Sequence, residues 1–230
     1  MKGLRKTIIY SIKPHKLGLC GPKEKKSQRI LMDFLLGKYD DCGKIKELYK
    51  QFKSVCAYLK LIAECNDVKN PFDERVVEAY WIGNELLENV PQKKLIEMLR
   101  NELKLPAFNF PADIHAHHSF HVLFVGSLKN IAPIEKLAPK CVINCGKVEK
   151  ISGKSLFVKT RPVELSGDKA KFGSEIVQKI ELDPKILPKI KIGDVISYHW
   201  DFACEVIDKR QAENLIDNLK RNIDSYNSVR

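Results

Sequence analysis

Two stretches decide the fold: Cys141-Val-Ile-Asn-Cys145-Gly146-Lys147-Val148 and Gly193-Asp194-Val195-Ile196-Ser197-Tyr198-His199-Trp200-Asp201-Phe202-Ala203. Between them lie short β-branched runs separated by Ser152-Gly153-Lys154, Ser166-Gly167-Asp168 and Asp183-Pro184. Residues 142–151, 155–163, 176–182 and 195–199 are each of strand length and closely spaced, a pattern that predicts a small barrel or sandwich. One thiol, Cys141, falls at the first strand and one imidazole, His199, in the last. Barrel closure can bring the two together although they are far apart in the chain.

Working outward, Lys209 to Ile223 has the periodicity of a helix that follows the barrel. Upstream, residues 23–36 read as a helix with Ile30, Leu31, Phe34 and Leu35 on one face, stopped at Gly37. Residues 44–64 form the clearest amphipathic pattern, through Ile45, Leu48, Tyr49, Phe52, Val55, Leu59 and Ile62. Asn70-Pro71 breaks it. Further helices are expected over 73–89 and 92–104, the last with Pro91 near its first turn. Thr7 to Ser11 reads as a short strand or the start of a docking arm. Residues 106–111 are expected to be extended, and Ala132-Pro133 with Ala138-Pro139 to frame a connector. The fold class is therefore α+β: an α-helical domain over 1–136, with a His-rich segment at 113–125, then an OB-like β-barrel with a C-terminal helix over 137–230.

The chain carries a formal net charge of +11, with nearly all of the excess before residue 60. Such an end suits an anionic partner or, more simply, a Lys-rich solvated helical face. No aromatic residues interleave with these charges as in single-strand binders, so the basic end is expected to dock on protein and not on nucleic acid. No apolar stretch has the length of a membrane span, and the start is too short in apolar residues for a secretory leader. Seven cysteines form an odd set without close pairs, which points to a reducing cytoplasm and not to a disulfide framework.

Cys141 and His199 form a thiolate–imidazole pair of the kind that holds iron or zinc. The plain alternative is two residues packed separately in a barrel wall. Cys145 is a further ligand, a redox partner or a small core residue; on one strand it would share a side with Cys141. Four of the six histidines lie in Asp113-Ile-His115-Ala-His117-His118-Ser-Phe-His121. On a helix His117, His118 and His121 share an arc, and on a strand Asp113, His115, His117 and His121 share a face. Either arrangement suits zinc or non-haem iron, or else rings that hydrogen-bond backbone and carboxylates. No phosphate-binding loop, nucleophile elbow or dinucleotide fingerprint is present, so the common enzyme classes lack positive support.

On these residues the C-terminal region, about 141–222, resembles the HypC/HupF-type assembly chaperones of NiFe-hydrogenases. That family has a Cys followed by Gly-Lys-Val at the spacing of Cys141, Gly146, Lys147 and Val148. It also has a Gly-Asp motif leading to His and then Phe-Ala, matched by Gly193, Asp194, His199, Phe202 and Ala203. Three departures stand out. The family Cys follows the initiator Met, whereas Cys141 is internal; residues 161–173 make a longer loop; and Cys145 replaces a usual Pro. The resemblance implies a carrier with no turnover of its own, holding an Fe(CN)2CO group on Cys141 with His199 close by. The group would be built with a HypD-like scaffold protein and handed to the precursor of the hydrogenase large subunit. The N-terminal part is similar to uncharacterised proteins of hydrogenase gene clusters, through 19–22, 70–84 and 117–121. Two rival expectations are a histidine-centred metalloenzyme with the barrel as docking module and a nucleic-acid-binding OB-fold protein.

Overall fold

Aspartates start three of the helices. Asp41 Oδ1 accepts from Lys44 N at 2.9 Å, Asp73 Oδ1 from Arg75 N at 3.0 Å, and Asp208 Oδ1 from Gln211 N at 2.8 Å. The last is a full capping box, because the Gln211 side chain returns a bond to the Asp208 N–H. The computed structural model describes residues 1–105, 110–125, 134–166 and 169–229, with the side chain of Ile134 excepted. It divides into two compact units, Met1–His117 and His118–Arg230.

The first unit is helical: α1 (Lys2–Lys16), α2 (Lys25–Leu35), α3 (Cys42–Tyr49), α4 (Lys53–Cys65), α5 (Glu74–Trp81) and α6 (Gln92–Asn101), with a 3-10 turn over Glu85–Leu87. The segment expected as a strand or docking arm, Thr7–Ser11, is instead the buried middle of α1. Its residues fill the core, and a Cβ on Gly3 would collide with the Phe72 carbonyl, so the helix seats closely on its neighbours. Trp81 Nε1 donates to Thr7 Oγ1 at 3.0 Å, and Tyr49 OH joins Thr7 and Ser11 in the same buried network. Lys6, also buried, is neutralised by Glu78 at 3.4 Å. These polar bonds satisfy groups that could not otherwise leave water.

The expected 44–64 helix is two helices. The chain breaks over residues 50–52 so that Phe52 can stack on Tyr49, with ring centroids 4.5 Å apart. The expected 73–89 helix likewise stops at Ile82. Gly83 takes φ 99° and its N–H joins that of Ile82 on the Glu78 carbonyl, a helix ending that suits glycine. The extended run expected over 106–111 and the connector at 132–133 fall largely outside the described residues.

The second unit opens with one helical turn, α7 (His118–Phe120), which passes into a π-helical turn over His121–Val125. Next comes α8 (Ile134–Cys141), which occupies the expected Ala138-Pro139 connector. Strands β1 (Asn144–Ser152), β2 (Ser155–Thr160), β3 (Val163–Ser166), β4 (Lys169–Phe172), β5 (Ile176–Glu181), β6 (Val195–His199) and β7 (Phe202–Val206) follow, and α9 (Lys209–Ser228) ends the unit. The units part upstream of the expected 136/137 boundary because Val122 and Leu123 pack into one apolar cluster with Ala138 of α8, Val142 just after it, and Leu219 and Ile223 of α9.

Five strands close a barrel in the order β1-β2-β5-β7-β6, with β6 paired back to β1. All barrel pairs are antiparallel except β5–β7, which meet in parallel at Glu181 and Phe202 alone. This is the Greek-key arrangement of an OB-like barrel. Its interior holds Val148, Leu156, Val158, Ile180, Ile196, Tyr198 and Ala203. The long 161–173 loop contains the β3–β4 hairpin, which rests on α9: Ala170 N donates to Asn227 Oδ1, and Asn227 Nδ2 donates to Ala170 O, both at 2.9 Å. No helix among the described residues is long and apolar enough to cross a membrane.

Candidate metal centre

Gly146 is where β2 crosses β1 most closely. A Cβ there would lie 2.5 Å from Lys159 O and 2.6 Å from Val158 Cγ1. Gly193 (φ 95°) and Asp194 turn the chain into β6: Gly193 N donates to Val148 O, and Val148 N to Asp194 O, both at 2.8 Å. The Asp194 carboxylate caps the same turn by accepting from Lys191 N at 2.7 Å. The two glycine motifs therefore weld β6 to β1, and welding them fixes where β6 ends. It ends on His199.

Beyond His199, β6 and β7 are joined by the two residues Trp200 and Asp201, both left-handed at φ 53° and 55°. Two positive values are what a type I′ hairpin turn requires. Trp200 N donates to Lys140 O at 2.9 Å, and Lys140 Nζ pairs with Asp201 at 3.2 Å, so the turn is pinned to the end of α8. Cys141 is the last residue of that helix and not, as expected, part of the first strand. The helix end and the hairpin turn therefore present Cys141 and His199 to each other.

A third ligand comes from α7. His118, Cys141 and His199 place one nitrogen or sulfur each within 4.8 Å of one another. The His118 and His199 rings meet edge to face, 5.2 Å between centroids. His118 Nε2 lies 3.0 Å from the Cys141 carbonyl. A carbonyl only accepts, so Nε2 carries the proton of this bond, which leaves Nδ1 as the ring atom for a metal. Metal-binding histidines are commonly oriented by such a bond from the other ring nitrogen. A tetrahedral zinc site holds its nitrogen and sulfur ligands about 3.3–3.6 Å apart. Closing the observed spread takes about an ångström of side-chain movement. Burial pushes the Cys141 thiol up to about 12, and the Trp200 side chain acts in the opposite sense, toward the thiolate. The indole N–H itself makes no hydrogen bond among the described residues. Two buried imidazoles and the thiol of the half-buried Cys141 fit zinc or iron with a fourth position left over.

The rest of the expected second site does not assemble here. Asp113, His115 and His117 belong to the helical unit. There His115 Nε2 bonds Asp113 at 3.0 Å, while burial, reinforced by His115, lowers His117 to about 3 and backbone bonds at Ile82 and Trp81 oppose the shift. His121, lowered to about 4 by burial, stacks on His118 at 6.4 Å between centroids without joining the cluster. Of the five expected ligands, His118 alone contributes. Cys145 is buried in β1 and lies outside the cluster, its thiol pushed up to about 12 by burial. Of the barrel aromatics, Tyr198, Trp200 and Phe202 are buried and Phe157 is half-buried.

A family model matches residues 2–230 of the chain. The chain belongs to DUF6390, a family of unknown function. No curated protein and no solved structure matches it. In this DUF6390 chain, sequence reasoning singled out Cys141 and His199 as a pair and grouped His118 with the other histidines, whereas the fold sets His118 beside that pair. The local pattern around residues 113–121 could not show that the chain changes unit between His117 and His118. The role of Trp200 had no signal at all, since a bulky residue in a left-handed turn is not predictable from composition.

Proposed function

We propose that this protein is a metallocentre-assembly factor: a carrier that binds an iron group through Cys141, with His199 and His118 beside it, and gives it up to a partner. The observation that carries the reading is the convergence of Cys141 and His199, residues picked out by their spacing to Gly146-Lys147 and Gly193-Asp194, at one buried point. The OB-like barrel with a trailing helix is the setting that the HypC/HupF resemblance implies. On this reading the cargo is Fe(CN)2CO, the building partner is a HypD-like scaffold protein, and the recipient is a hydrogenase large-subunit precursor. The chain's own residues supply a soft sulfur ligand and two buried imidazoles. Most of the iron shell would be filled by the diatomic groups, which suits a site that must release.

His118 favours a second reading, in which three protein ligands hold a resident divalent metal with one open position. Infrared spectra of protein purified anaerobically with the scaffold partner separate the two. Cyanide and carbonyl stretches present in the wild type, absent in Cys141→Ser and weakened in His199→Ala are expected. A hydroxyl stays protonated near neutral pH and binds soft iron poorly. Bands that persist in Cys141→Ser, or that are missing from the wild type, overturn the carrier reading. One zinc per chain, lost in His118→Ala, would establish the resident metal instead.

A further inference from the structure

The register of β1, β2 and β5 sets out a grid on the barrel's outer face. Lys147 stands opposite Lys159, which stands opposite Val177. In the next outward row, past the bulge that throws out Glu149, Lys150 stands opposite Phe157 and Phe157 opposite Lys179. Directly paired residues share a face. The alternate rows, with Val148, Val158, Leu156 and Ile180, are buried inside the barrel, so the two basic rows point to solvent. All four lysines are exposed, Phe157 is half-buried, and Val177 is 54% exposed.

This arrangement is costly for a free surface. Like charges directly across an antiparallel pair are destabilising, and Lys147 faces Lys159. Glu175 offsets Lys159 at 2.7 Å, while no ion pair is found for Lys147, Lys150 or Lys179 among the described residues. Phe157 stands between Lys150 and Lys179, and Val177 closes the neighbouring row beside Lys159; apolar side chains set among cationic ones have the anatomy of a protein-binding patch. The same face is where OB folds take up oligonucleotides, but the stacking surface is poor. Lys150 Nζ lies 5.5 Å from the Phe157 centroid and covers the single ring. The other apolar position is Val177, with no π face.

We propose that the outer face of β1, β2 and β5 docks an acidic polypeptide surface, with Phe157 and Val177 as apolar anchors and Lys147, Lys150, Lys159 and Lys179 reading its carboxylates. The inference stands independently of the metal centre. It is tested on the full chain by fluorescence anisotropy, with a labelled peptide of repeating Glu-Glu-Leu and with labelled oligothymidylate as probes. Saturable 1:1 peptide binding is expected, weakened about tenfold by the pair Lys147→Glu and Lys179→Glu and lost as salt rises past physiological strength. Val177→Ser should weaken it by a smaller factor. Both charge reversals lie on the exposed face, and circular dichroism checks that the barrel persists. Absence of peptide binding, peptide binding indifferent to the double variant, or tighter binding of oligothymidylate overturns the proposal.

Discussion

Trp200 stands where a large side chain is seldom placed. A bulky residue at φ 53° costs about 1–3 kcal/mol relative to an ordinary backbone conformation. Asp201 bears the same geometry more easily, since short polar side chains enter the left-handed region. The strained turn sets the Trp200 side chain near the Cys141 thiol and brings His199 into the candidate cluster, so the strain is placed at the site. Cobalt(II) reports the result through its thiolate charge-transfer band. Trp200→Phe keeps a ring and removes the N–H; apparent cobalt affinity is expected to fall about tenfold with the fold retained. Unchanged affinity would show that the N–H does not act on the bound metal. His15 gives a prediction of a different kind. It is buried between the Cys20 carbonyl and Ser27, and burial lowers its pKa below 6.5 while the bond to Cys20 raises it less. The unfolded chain takes up the proton first, so the His15 contribution to stability is complete above about pH 6.5 and declines as pH falls through the lowered value. Thermal melts from about pH 7.5 to about pH 5.5 should show this loss, and His15→Gln should show a shallower one. A slope unaltered by His15→Gln would refute the assignment.

At the scale of elements, the barrel was more legible than the helices. Strands alternate by twos, so residues 195–199 could be bounded on pattern alone, and the observed β6 has those limits. The 44–64 run kept helical spacing across a real break because residues 50–52 make nearly one turn without continuing the helix. Periodicity cannot distinguish those cases; only the stacking of Phe52 on Tyr49 does. The segment over 7–11 misled for the opposite reason, since Thr7-Ile-Ile-Tyr favours strands when isolated and is overruled by burial within α1. The motif glycine of β1 also has an architectural task. Gly146→Ala places a methyl against Lys159 O and the side chains of Val158 and Thr160, and overpacking of this kind costs about 1–3 kcal/mol. Chemical denaturation should show that loss, with cobalt affinity reduced alongside because β1 and β6 shift together. A stability equal to wild type would mean that β2 can move aside freely.

For the molecule as a whole, the candidate site was half legible: a Cys and a His could be paired through spacing, but the third ligand required the fold. Its three ligands lie on three elements, α7, α8 and β6, and their order along the chain has a temporal meaning. During synthesis His118 emerges first, then Cys141, and His199 only after six of the seven strands have been made. A nascent chain without β6 therefore offers only His118 and Cys141 of the three, with no closed barrel around them. The three come together only when β6 closes onto β1. On the proposed reading the centre would be loaded after folding, and a loaded chain would certify that its barrel is complete.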